Sequence, residues 1–254
     1  MMSHPYQLRH DGKAEWLMWF AGLSLFTLGA AVLFAGGWQV LSGDLVVCLI
    51  LALFLVTLWK SYHDIGLLDR ETRLASEQVA QLKQINDVGR FLEAAQPSIF
   101  QSHIAALHTI FLSHSSISQE TVLEIAHSRL RARNKTVDLL ASILITLGLI
   151  GTILGLLIAV GGLSGVIGSG DGQMDQVMVA MRTTIEGLGT AFYTTLYGAA
   201  AGGIVLRILT SVVDSNILRY MAHIAELTEI YVLPALRRRA AQLEAEGYYR
   251  NLDR

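Results

Sequence analysis

The sequence predicts an all-α integral membrane protein with four transmembrane helices and a helical cytoplasmic domain. Three observations carry that prediction. Hydrophobic residues make up 52% of the chain and charged residues only 16%, an excess of apolar over charged that soluble domains do not show. The apolar residues come in blocks, and the stretches between Asp138 and Asp171 and between Glu186 and Arg207 hold no charge at all. Every Lys and Arg except Arg182 falls within residues 1–15, 60–138 or 207–254. The positive-inside rule then puts both termini and the long middle segment in the cytoplasm.

Residues 1–15 form a polar cytoplasmic N-terminus that includes Arg9 and Lys13. Residues 16–62 make a transmembrane hairpin. Its first span, Trp16 to Ala35, begins with Trp16 and Trp19 where interfacial anchors sit, and it lacks the cleavage site of a signal peptide. Gly36, Gly37, Ser42, Gly43 and Asp44 supply a tight turn. Leu45 to Trp59 is most of the second span, closed by Trp59, Lys60 and Tyr62. The single Cys48 excludes an internal disulfide and a cysteine-based metal site; it faces lipid or packs.

Residues 63–136 form a helical cytoplasmic segment. From Ile65 to Gln96, apolar residues recur every three or four positions (Leu67, Leu74, Val79, Leu82, Ile85, Val88), the pattern of an amphipathic helix that Pro97 breaks. Ile104–Leu112 and Thr121–Leu130 read as two shorter helices, with Ser116 and Gln119 at capping-box spacing between them. The basic cluster Arg129, Arg131, Arg133 and Lys135 precedes the next span.

Residues 137–208 contain the third span, Leu139 to about Leu163, and the fourth, Gly187 to about Leu206, joined by a Gly/Ser/Asp-rich loop from Gly165 to Asp175. Residues 209–254 continue as a cytoplasmic helical extension and end in a polar tail after Arg237, Arg238 and Arg239. That basic run fits a lipid-headgroup or partner contact or a solvated face.

Both inner spans carry a narrow stripe. Gly148, Thr152, Gly155, Ala159 and Gly162 fall on one face of the third, with Gly151 beside them; Gly187, Ala191, Thr195, Gly198 and Gly202 fall on one face of the fourth. Such faces let another backbone approach closely. Each has a hydroxyl at its middle, and Thr194 adjoins the second. At 1.5 Å per residue, Thr152 lies about 10 Å from the outer edge of a ~30 Å core, and Thr195 about 13 Å in from Glu186 on the same side. The two hydroxyls therefore sit at similar depth.

LGLIGTILGLL, from Leu147 to Leu157, resembles the GxxGTxxG-type element of the MotA/TolQ/ExbB family of ion-driven inner-membrane channels. AFYTTLYGAAAG, from Ala191 to Gly202, is similar to the element in that family's last span. The chain departs from the pattern in lacking a membrane proline after Gly198, where Ile204 stands at the comparable position, and in carrying Thr190 where an acidic residue is often seen. The resemblance implies that Thr152 and Thr195 line the pore, and Thr194 beside them is read as part of the same ion path. It also implies a homopentamer around two copies of a MotB/TolR/ExbD-like single-span partner that bears a membrane aspartate. No cofactor is implied beyond the transported H+ or Na+.

The residues agree on one point. Neither inner span holds an Asp, Glu, His, Lys or Arg, so a chain conducting through hydroxyls must borrow its carboxylate from another subunit. Asp138 reads as a cytoplasmic mouth for ions or as a charge paired with Lys135. Glu186 reads as an interfacial residue. His103, His108, His114 and His127 share no single face and read as solvated. The near-zero net charge gives no reason to expect nucleic acid, and the absence of a nucleophile elbow, phosphate loop or HExxH argues against an enzyme. The other reading is a membrane scaffold that packs through its small residues without conducting.

Overall fold

The computed structural model describes residues 12–33, 45–85, 88–113, 119–168 and 174–245. The predicted turn at Gly36–Asp44, the Ser116 half of the capping box, His114 and the polar tail beyond Ala245 lie outside them. Among the described residues all regular structure is helical: α1 (Gly12–Leu33), α2 (Leu45–Ile85), α3 (Val88–Ala94), α4 (Ile99–Ser113), α5 (Glu120–Gly168), α6 (Met174–Gly198), a π-helical stretch (Ala199–Leu206), α7 (Arg207–Leu227), a second π-helical stretch (Thr228–Val232) and α8 (Leu233–Ala245). Three of these helical runs, within Leu45–Ile85, Glu120–Ser164 and Met174–Arg239, are long and apolar enough to cross a membrane.

The helices are longer than the hydropathy pattern predicts. α2 runs 41 residues without a break past Trp59, Lys60 and Tyr62, and α5 runs 49 residues through the basic cluster into the apolar span. Backbone hydrogen bonding is indifferent to whether side chains meet lipid or water, so a change in hydropathy does not end a helix. The amphipathic stretch expected to reach Gln96 is instead the end of α2 followed by the separate α3. The expected loop at Gly165–Asp175 is shorter, because α5 extends to Gly168 and α6 starts at Met174.

The chain divides into two compact units, residues 14–62 with 135–212, and residues 1–13 with 63–134 and 213–254. In the first unit, Trp16 is buried rather than set at a surface: its indole donates to Ser61 Oγ at 3.0 Å and its ring stacks on Phe20. Trp19 and Cys48 are exposed.

The second unit has a core of large side chains, among them Ile65, Phe91, Phe100, Ile104, Leu107 and Ile224, all fully buried. Two helix starts in it, those of α1 and α4, are capped by side chains that satisfy their orphan N–H groups. Asp69 accepts from the N–H of Gly12 and Lys13 at 3.0 and 2.9 Å, Glu71 from Ile99 N at 2.8 Å, and Ser98 Oγ from Gln101 N at 2.9 Å. The second π stretch ends at Val232, two residues before Pro234, and contains the residue four before it, Ile230. A proline ring has no N–H and collides with the carbonyl of residue i−4, and a widened turn relieves both problems.

Candidate functional site

α5 and α6 lie antiparallel, and their small residues bring the two backbones together. A Cβ added at Gly155 would lie 2.5 Å from Ala191 N and Gly187 O; one at Gly187 would lie 2.6 Å from Ala159 N and Gly155 O. At Gly148 it would meet Thr194 O at 2.9 Å, and at Gly198 Leu144 O at 2.8 Å. Gly202 abuts Ala141 O, and Gly162 faces Thr183 and Ala180. Residue numbers rise along one helix as they fall along the other, so the seam extends about 30 Å at 1.5 Å per residue. The two stripes are thus spent on each other within one chain.

This packing fixes where each threonine goes. Thr194 is fully buried, seated against Gly151, where an added Cβ would lie 2.5 Å from its side chain. Its hydroxyl donates to Thr190 O at 2.8 Å, satisfied within its own helix. Thr195 lies at the exposed edge of the seam. The buried stripe of α6 is therefore Gly187, Ala191, Thr194 and Gly198, continued by Gly202, with Thr194 in the place that periodicity alone assigns to Thr195. Spacing of three or four admits either neighbour, and the gap left by Gly151 selects Thr194.

Thr152 and Thr195 meet across the seam, their hydroxyls hydrogen-bonded to each other with either able to donate. Thr152 Oγ1 also lies 3.1 Å from Gly148 O, and Thr195 Oγ1 3.1 Å from Ala191 O. Each hydroxyl has one proton and two lone pairs. The pair therefore has two arrangements: one hydroxyl donates to the other, and the acceptor donates to a backbone carbonyl. In both, lone pairs remain for an outside donor. Exposed Leu149, Ile153, Phe192 and Leu196 belong to the same two helices, so the pair is a polar point on a largely apolar surface.

Asp138 is ion-paired with Arg207 at 3.0 Å, both partly exposed. Arg207 thus takes the place that sequence proximity gives to Lys135. The sequence does carry a signal for it, since Asp138 and Arg207 are the charges that end the two adjacent apolar stretches on the same side. Glu186 pairs with Arg182 one turn away at 2.9 Å. His103 is buried rather than solvated, and burial holds its pKa below the usual histidine range, with the neighbouring Gln119 side chain opposing the shift. Among the described residues no group of His, Cys, Asp and Glu could hold a metal ion.

A family model describing the MotA/TolQ/ExbB proton channel family matches residues 99–226, from α4 through most of α7. No curated protein and no solved structure matches the chain.

Proposed function

Because the chain belongs to the MotA/TolQ/ExbB proton channel family, we propose that it is the channel subunit of an ion-driven inner-membrane motor, in which proton or sodium flow is turned into mechanical work through a single-span partner. The observation that carries this reading is the hydroxyl pair of Thr152 and Thr195. It joins the two helices of the matched core, exposed at the seam's edge, inside apolar stretches that contain no Asp, Glu, His, Lys or Arg.

The free lone pairs of the two hydroxyls can accept from water or from a protonated carboxyl, and the hydroxyl that donates to a backbone carbonyl can turn its proton to the carboxylate once it ionises, in a low-dielectric site. They cannot titrate near neutral pH themselves. The carboxylate comes from the partner's membrane aspartate, two copies of which sit within a pentamer of this chain. The seam consumes the small stripes inside each copy, so the ring is built through the exposed large residues of the spans. The small residues hold the pore helices together rather than joining subunits, which removes the main support for a passive scaffold. In this arrangement α1 and the apolar parts of α2, α5 and α6 cross the membrane as four spans, with both termini cytoplasmic. Asp138 marks the cytoplasmic mouth.

The test is ion flux in cells co-expressing the partner, with assembly followed by native mass spectrometry. A Thr152→Val, Thr195→Val double variant keeps side-chain shape and should assemble as pentamers while flux falls at least tenfold. Undiminished flux in the assembled variant would refute the assignment of the pair, and a monomer or simple dimer in the unsubstituted protein would refute the ring.

A further inference from the structure

The fourth apolar run does not finish as an α-helix. Ala199–Leu206, an eight-residue π-helical stretch, separates Thr195 from Arg207. An α-helix advances about 100° per residue, so the twelve steps from Thr195 to Arg207 would leave the two about 120° apart. A π-bulge absorbs one additional residue into a widened turn and sets the residues beyond it back by about 100°. Arg207 then returns to within about 20° of Thr195. On α5, which is α-helical throughout, Asp138 and Thr152 are fourteen steps apart and about 40° from one face. The hydroxyl pair and the Asp138–Arg207 ion pair thus lie along one edge of the α5–α6 seam because of the π stretch.

We propose that this π stretch is a one-residue register switch that connects and disconnects the Asp138–Arg207 pair at the cytoplasmic end of the ion path. The proposal rests on reading Thr152 and Thr195 as that path. Moving the wide turn along the helix exchanges one backbone hydrogen bond of i−5 type for one of i−4 type, with no net loss of bonds. When the wide turn passes beyond Arg207, the segment behind it is α-helical. Leu206 then takes the angular place of Arg207, and Arg207 swings about 100° away from the carboxylate. Asp138 is left open to a cation. A proton or sodium ion arriving there competes with the guanidinium for the same oxygens, so ion exit and the position of the wide turn are linked.

Cysteine pairs report the two registers in native membranes without measuring ion flow. In a Cys48→Ser background, Asp138→Cys with Arg207→Cys captures the π register, and Asp138→Cys with Leu206→Cys captures the α register, using a short bifunctional methanethiosulfonate reagent. Both pairs should crosslink several-fold above the single-cysteine controls. Deleting Ala200 removes the additional residue while keeping the flanks in phase; it should preserve the first crosslink and abolish the second. A Leu206 pair that never exceeds its controls, or loss of the first crosslink on deletion, overturns the switch. Should the deletion variant fail to accumulate, amide hydrogen exchange on the unsubstituted chain decides. Amides from Ala200 to Thr210 should exchange at least tenfold faster than those of Thr146–Ile158 in α5, and equal protection overturns the proposal. Failure of the hydroxyl pair to carry ions would leave the crosslinking result standing, so the two claims fail separately.

Discussion

The seam between α5 and α6 and the core of the 63–134/213–254 unit solve the same packing problem by opposite means. In the core, Phe91, Phe100, Ile104 and Leu107 fill the space between helices, and removing their surface from water provides the stabilisation, about 25 cal/mol per Å². In the seam little stands between the backbones, because Gly148, Gly155, Gly187 and Gly198 let main chain touch main chain, and only at Gly151 does a side chain, that of Thr194, fill the gap. Lipid is as apolar as leucine, so burying a large side chain against another helix gains little there; close contact and dispersion must hold the pair. A core of the first kind tolerates no loss of volume and a seam of the second no gain. A polar side chain can be placed at a seam's edge with little disturbance, and there the hydroxyl pair lies.

The larger effect is expected in the core. Phe100→Ala should cost about 3–5 kcal/mol, the usual loss for a buried phenylalanine, measured as a drop in the stability of this unit by denaturant or heat. A change below about 1 kcal/mol would mean that the core is not what holds the unit together. On the seam side the direction reverses. Gly155→Leu drives a branched side chain into Ala191 N and Gly187 O and should cost at least the ~1–3 kcal/mol of overpacking, since backbone cannot step aside. Gly161→Leu, less than two turns along the same helix with nothing within 4 Å of an added Cβ, should change little. Equal thermal stability of the two variants would remove the seam.

A smaller effect separates the units by pH. Burial depresses the pKa of His103 in the core of the 63–134/213–254 unit. Its folded-state pKa lies below the unfolded value of about 6.5, so its contribution to stability is full above that pH and is lost as pH falls through the folded value. The apparent Tm should therefore decline as the pH falls below about 6.5, and less so in His103→Leu. An identical decline in the variant would assign the acid sensitivity elsewhere.

How far all this can be read from the chain depends on which physical rule decides each feature. Apolar blocks and the placement of Lys and Arg announce membrane helices, because transfer into lipid depends on composition. Helix ends are less legible: α2 and α5 ignore the boundary at Trp59–Tyr62 and the one near Lys135, where the side chains change character but the hydrogen-bond ladder does not. Thr152 and Thr195 are visible as hydroxyls at matching depth. The choice between Thr194 and Thr195 for the buried face is not, because adjacent threonines satisfy the same periodicity and only the space over Gly151 distinguishes them. The π stretch at Ala199–Leu206 leaves no mark in AAAGGIVL, whereas Pro234 hints at the one before it. The burial of His103 has no local signature in the sequence.

The adjacent threonines provide the most direct measurement. Thr195 sits at the seam's edge bonded to Thr152, while Thr194 is buried and bonded within its own helix. Proton or sodium flux should be compared between Thr195→Val and Thr194→Val in the presence of the partner, with assembly checked in both. Thr195→Val should assemble normally and lose most of its flux, about tenfold or more for a lost hydrogen bond of about 1.4 kcal/mol or greater in the conducting state, while Thr194→Val should keep at least half. Equal flux in the two assembled variants, or a larger loss in Thr194→Val, would contradict the assignment of the pair.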